Sequence, residues 1–183
     1  MAETLAELGF NEGVEVGVAH GQHSEILCKA NPKLKLHLVD IWMDYEGYTI
    51  YTGRTGKYYR IAKRRLIPYD CVWIQKFSMD AVKDFDDESL DFVYIDAAHD
   101  FQNVVNDICE WTKKVKIGGV VFGHDYRRTG NKWEYAIEDA VIGYCNSKVI
   151  KPWFILGEPG HRDGMYKEGI PSWMFVRQDG DRT

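Results

Sequence analysis

Short β-branched and aromatic runs alternate with longer segments of helical spacing along this chain, and that alternation restricts the fold more than any other feature. Strands are predicted at Gly13–Val18, Leu34–Asp40, Cys71–Phe77 and Asp91–Asp96, a fifth begins at Val120-Val121-Phe122, and two more run over Val149–Leu156 and Ser172–Val176. Helices are predicted from Gly21 to Ala30, stopped at Asn31-Pro32, from about Gly56 to Leu66 ahead of Pro68, and briefly from Ser78. The clearest helical face carries Val104, Ile108, Trp111 and Val115, ended by Gly118-Gly119. Asn131, with Glu134 three residues on, opens a last helix whose buried side is Trp133, Ile137, Ala140 and Tyr144. Parallel strands need crossover helices, so the pattern implies an α/β fold, a mostly parallel sheet covered on both faces. The last two runs have no helix between them and should pair as an antiparallel hairpin at one edge.

The 183 residues suit one compact domain spanning 1–183, without internal repeat, low-complexity tract or dividing linker. No apolar run approaches the ~18 residues of a membrane span, and the N-terminus lacks the pattern of a signal peptide. Cys28, Cys71, Cys109 and Cys145 are scattered without a C-x-x-C pair, as expected for reduced thiols in a cytoplasmic protein. A formal charge of -5 opposes nucleic-acid binding by phosphate neutralisation. Arg60 and Lys63-Arg64-Arg65 read as the wet face of a helix.

In an open α/β sheet, ligands bind beyond the carboxyl ends of the strands. The first strand runs through Glu15-Val16-Gly17-Val18-Ala19-His20-Gly21 into a helix, a turn whose glycines admit a ligand close to the backbone. Asp40 ends the second strand nineteen residues after Gly21, where a carboxylate can accept both hydroxyls of a ribose. Together these favour an adenosine-type ligand. The nicotinamide fingerprint G-x-G-x-x-G is absent: counted from Gly17, its later glycine positions hold Ala19 and Gln22.

The acidic-x-Gly-x-x-x-Gly turn of Glu15, Gly17 and Gly21 resembles the first motif of class I S-adenosylmethionine (SAM)-dependent methyltransferases. Ile95-Asp96-Ala97-Ala98-His99 and the later Gly118-Gly119 through His124-Asp125-Tyr126 resemble the small-molecule O-methyltransferase-like group, methyltransferase domain 24-like, over about Gly13 to Val176. The resemblance implies a Rossmann-like, doubly wound, seven-stranded sheet of order 3-2-1-4-5-7-6 with the last strand antiparallel. It also implies cofactor roles: Glu15, Gly17 and Gly21, with Ser24 nearby, at the methionine part; Asp40 at the ribose; Ile41 or Trp42 against the adenine; Ser78 and Met79 at its edge; Asp96 near the sulfonium.

If the fourth and fifth strands are neighbours, Asp96, His99, His124 and Asp125 share one crevice. Methyl transfer needs the acceptor aligned and its proton removed, and His99, beside Asp96, is the preferred base for a hydroxyl acceptor. Asp96, His124 and Asp125 are also a candidate ligand set for a divalent metal such as Mg²⁺, although the metal-dependent members carry Asp or Glu where His124 stands. His124 and Asp125 read alternatively as a structural pair. The expected partner is a small-molecule acceptor, with neither nucleic acid nor membrane, in a possible homo-oligomer. The aromatic segment 42–51 could wall the acceptor pocket or act as a lid, and His161, Arg162 and Tyr166 of the final loop should emerge on the same side. A SAM-binding module without turnover, a nucleotide-binding oxidoreductase and a metal-dependent oxygenase remain the competing classes.

Overall fold

The computed structural model describes residues 1–45, 52–127, 136–157 and 170–179. The element order is α1 (Ala2–Glu7), β1 (Glu12–Val16), α2 (Gln22–Ala30), β2 (Lys35–Val39), α3 (Thr55–Leu66), β3 (Cys71–Ile74), α4 (Ser78–Ala81), a 3₁₀ turn over Val82–Asp84, β4 (Leu90–Ile95), α5 (Phe101–Lys114), β5 (Val115–Gly123), α6 (Ile137–Ser147), β6 (Trp153–Leu156) and β7 (Ser172–Val176). The strands form one seven-stranded sheet of order β3-β2-β1-β4-β5-β7-β6. β1 to β5 pair in parallel, and β7 runs antiparallel to both β5 and β6. This is the doubly wound arrangement expected from the sequence, with its antiparallel edge hairpin.

Each face of the sheet buries its own core. One face packs Val93, Val121 and Phe175 with Val104, Ile108 and Trp111 of α5 and Ala140 and Tyr144 of α6. The other packs Leu36, Leu38, Phe92 and Phe122 against Leu27 of α2 and Leu66 of α3. Trp111 is fully buried, and burying an apolar side chain of that size contributes roughly 1.5–3 kcal/mol or more.

The described helices and strands depart from expectation in a few places. Val115 does not continue the α5 face: its backbone is extended (φ -79°, ψ 137°) and it opens β5. Gly118-Gly119 therefore lies within β5, at an irregularity where Val115 pairs with Leu90 but Val120 pairs with Phe92. Gly119 is needed there, since a Cβ would sit 2.5 Å from the Asp91 carbonyl oxygen. β3 stops at Ile74, short of Phe77. The first helix, α1, was not anticipated; it anchors through buried Leu5. The Asn131/Glu134 cap and Trp133 lie outside the described residues. No described helix is long and apolar enough to cross a membrane.

Register positions the site. Val16 pairs with Val39 and Ile95, Val39 with Ile74, and Ile95 with Gly123. The residues that follow these strand ends, Gly17, Asp40, Asp96 and His124, are therefore delivered to a single edge of the sheet.

Candidate functional site

A cleft of about 1480 Å³ opens at that edge, lined by Glu15, Gly17, Asp40, Ile41, Trp42, Ser78, Met79, Asp96, His99, His124 and Asp125 among others. This volume exceeds the ~300–1,000 Å³ usual for one bound small molecule, leaving room for two ligands side by side.

The β1–α2 turn forms the floor. Gly17 has φ 90°, and a Cβ there would lie 2.0 Å from the Asp96 carbonyl oxygen, so only glycine lets the ends of β1 and β4 approach this closely. Gly21 (φ 73°) caps α2 and packs on Leu66. Glu15 is buried and accepts a 2.6 Å hydrogen bond from Ser24 Oγ. Gly21 and Ser24 thus shape and brace the turn from behind. His23 stacks on Tyr94 with ring centroids 3.8 Å apart, and its Nδ1 lies 3.7 Å from Glu15 Oε1.

Asp40 does more than end β2. Its Oδ2 accepts the amides of Val18 (3.0 Å) and Ala19 (2.8 Å), and its Oδ1 accepts the amide of Trp42 (2.8 Å). Burial nevertheless holds its pKa above the ordinary carboxylate value, those amides offsetting only part of the desolvation. Trp42 closes the arrangement by donating its indole N–H to the Ala19 carbonyl at 2.8 Å, while its ring packs among Tyr59 and Trp73. Trp42 is buried and Ile41 half-buried, so Ile41 is the more open apolar flank beside Asp40.

The far side holds the polar cluster. His99 Nε2 lies 3.4 Å from Asp96 Oδ1 and 3.2 Å from Asp125 Oδ2. His124 Nδ1 is 3.3 Å from Asp125 Oδ1, Arg127 Nη2 is 3.5 Å from the same oxygen, and Tyr94 donates to Asp96 Oδ2 at 3.4 Å. Burial pulls the Asp125 carboxyl up, but the His124 hydrogen bond and the charges of His99 and Arg127 outweigh it and leave the pKa below its ordinary value. Asp96, His124 and Asp125 each present a ligand atom within 4.8 Å of the others, a spacing that fits a divalent cation.

Sequence reasoning missed His23, Tyr94, Arg127 and Asp107 of this cleft. Asp107 carried the plainest signal, a carboxylate on the otherwise apolar face of Val104, Ile108 and Trp111. Ser78, expected at the base edge, turns its hydroxyl onto Asp107. The aromatic segment falls partly, and His161, Arg162 and Tyr166 wholly, outside the described residues.

A cofactor turn after β1, an acidic β2 terminus and a sheet closed by an antiparallel β7 together define the class of SAM-dependent methyltransferases. The sequence pattern of a family described as Methyltransferase domain (Methyltransf_24) matches residues 14–126, and the chain belongs to that family. Among solved structures, an O-methyltransferase from Bacillus cereus in complex with SAH (S-adenosylhomocysteine) is similar at a TM-score of 0.66 and 15% identity, with 96% of this chain and 79% of that one covered. The O-methyltransferase TomG from Streptomyces achromogenes, involved in tomaymycin synthesis and solved with SAM, gives 0.66 and 15%, covering 96% and 78%. An rRNA methylase from Streptococcus thermophilus gives 0.67 and 12%, covering 97% and 94%. At these identities the likeness is one of fold. No curated protein matches the chain.

Proposed function

We propose that this domain transfers the SAM methyl group to a hydroxyl oxygen of a small-molecule acceptor, with His99 taking the acceptor's proton. The observation that carries the reading is the placement of His99 Nε2 between the carboxylates of Asp96 and Asp125, in the same cleft as Glu15, Gly17 and Asp40. Carboxylates only accept, so each contact needs a proton on Nε2. Held in that tautomer, the imidazole takes a second proton at Nδ1, and the flanking carboxylates stabilise the imidazolium. Bound SAM would supply an activated methyl group whose transfer to the acceptor oxygen leaves SAH and a methyl ether, with the hydroxyl proton passing to His99. Glu15 and Gly17 would hold the methionine end with Gly21 and Ser24 bracing the turn behind them, Asp40 the ribose, Ile41 the adenine flank with Trp42 behind it, and Ser78 and Met79 the edge of the base. Asp96 would orient the acceptor beside the sulfonium.

A second reading rests on the convergence of Asp96, His124 and Asp125. A divalent cation such as Mg²⁺ held there would acidify the acceptor hydroxyl, and His99 would then orient the two carboxylates. The overall charge of -5 favours a small acceptor over RNA. Transfer of labelled methyl from SAM to a panel of phenols, sugars, other alcohols and RNA, with Mg²⁺ and with chelator, tests both readings. Turnover on a hydroxyl compound that His99→Ala abolishes supports the first. Full turnover by both Asp96→Ala and His99→Ala would sink the site assignment.

A further inference from the structure

Asp107 is a buried carboxyl that the methyl-transfer chemistry does not use. It sits on the inner face of α5, is 3% exposed, and lines the cleft beside Phe77, Ser78 and Met79. Trp111 Nε1 donates to Ser78 Oγ at 2.8 Å. An indole N–H can only donate, so it occupies an acceptor position of the Ser78 oxygen and directs the hydroxyl hydrogen onto Asp107 Oδ1. The chain Trp111–Ser78–Asp107 therefore fixes the orientation of the carboxyl, and nothing in it neutralises charge. Burial accordingly pushes the Asp107 pKa up to about 7, the Ser78 hydrogen bond opposing it and the nearby charge of Asp100 adding to it. Keeping a carboxyl there is unfavourable unless something in the cleft uses it.

Position identifies that something. Ser78 ties Asp107 to the loop after β3, and β3 lies beside β2, whose end carries Asp40 and Ile41 in the same cleft. With the ribose at Asp40, the base is the part of the cofactor that reaches α5. We propose that Asp107 reads the amino edge of the cofactor's adenine, an inference that rests on SAM being the cofactor. Adenine presents an exocyclic amino donor next to a ring-nitrogen acceptor, the edge that Asn or Gln side chains pair with through one acceptor and one donor. A carboxylate only accepts, so it takes the amino hydrogen, whereas a protonated carboxyl can turn its donor or acceptor to either base and does not discriminate. Hypoxanthine and guanine carry a carbonyl oxygen in place of that amino group, and an acceptor facing an acceptor repels. Ser78 becomes a positioning residue, since its hydroxyl is committed to Asp107.

The competing explanation is that Ser78 and Asp107 merely tie α5 to the loop after β3. A tether affects folding but does not distinguish one base from another. The test is calorimetric binding of SAH and of S-inosylhomocysteine at a pH above 7, where the carboxyl is ionised. The inosyl analogue replaces the amino group by a carbonyl and the neighbouring ring-nitrogen acceptor by an N–H donor. Both are titrated into wild type, Asp107→Asn, Asp107→Leu and Asp107→Ala, each checked for folding by thermal melt. Wild type should prefer SAH by roughly 10- to 100-fold. Asp107→Asn, whose amide can turn to pair with either base, should lose most of the preference, as should Asp107→Leu and Asp107→Ala. Two apolar replacements guard against a single misfolded variant. An undiminished preference in either folded apolar variant overturns the assignment while leaving SAM binding intact. A folded wild type that binds neither ligand overturns the cofactor reading and this inference with it.

Discussion

Asp40 Oδ2 accepts the backbone amide of Ala19 at 2.8 Å, so the residue that ends β2 holds the turn that ends β1. Two strands that are neighbours in the sheet are thereby joined at their ligand-facing edge by a carboxylate rather than by the ladder. The same side chain, expected at the ribose, first organises the backbone the cofactor must approach.

Asp40→Ala should therefore weaken both cofactor binding and the fold. Hydrogen bonds to a charged group are worth about 1.5–3 kcal/mol, and three backbone amides lose their acceptor together. A loss of roughly tenfold or more in SAH affinity by calorimetry, with a lowered unfolding midpoint, is expected. Unchanged affinity would remove Asp40 from the cofactor site.

Gly17→Ala should be far more damaging than Gly21→Ala. At Gly17 the added Cβ meets the Asp96 backbone at 2.0 Å, whereas at Gly21 the nearest atom is a movable Leu66 methyl at 2.9 Å. Both backbones have positive φ, so each change carries about 1–2 kcal/mol of conformational strain; the Gly17 clash adds to it and distorts the strand end carrying Asp96. Denaturant midpoints of the two variants check the ranking, and equal effects would contradict the close approach of β1 to β4.

Asp107 should make stability fall as pH rises. Its carboxyl titrates near 7 when folded against an unperturbed 3.8, so the folded state binds more protons between those values. The Asp107 contribution is fullest near and below pH 4, declines toward pH 7 and levels off above it. The difference is bounded by roughly 4 kcal/mol at about 1.4 kcal/mol per pKa unit. Asp107→Asn should flatten this part of the profile of melting temperature against pH. A wild-type profile unaltered by the substitution would show that Asp107 titrates normally.

Chelation separates the two accounts of the Asp96–His99–Asp125 cluster. With His99 as base, turnover should survive EDTA, and His99→Ala should reduce it by about 10²- to 10⁴-fold, the range typical of a lost general base. Turnover lost in EDTA and restored by Mg²⁺, with a matching loss in Asp125→Asn, would transfer the role to a cation.

Legibility followed sequence range. The seven strands and the edge hairpin were readable because each strand announces itself by local composition, while their order followed from the family resemblance. Gly17 and Asp40 were readable because a tight turn and a strand end are local events. Val115 was misplaced for a physical reason: its spacing from Trp111 fits a helix, but the partner that claims it, Leu90 of β4, is distant in sequence. Local periodicity cannot weigh a competing strand, and the sheet prevailed.

The sequence by itself determined the alternation of strands and helices, the glycine turn after β1 and the acidic residues at the strand ends, because period, side-chain volume and backbone freedom act within a few residues. Only the tertiary structure decided what those residues touch. Ser78 reaches Asp107 across 29 positions, Asp40 reaches Val18 across 22, and His99 meets Asp125 only because β4 and β5 lie side by side. Those contacts form when sheet register brings separate strand ends together, and it is there that a list of polar residues becomes a cleft with a base, a brace and a candidate reader of adenine.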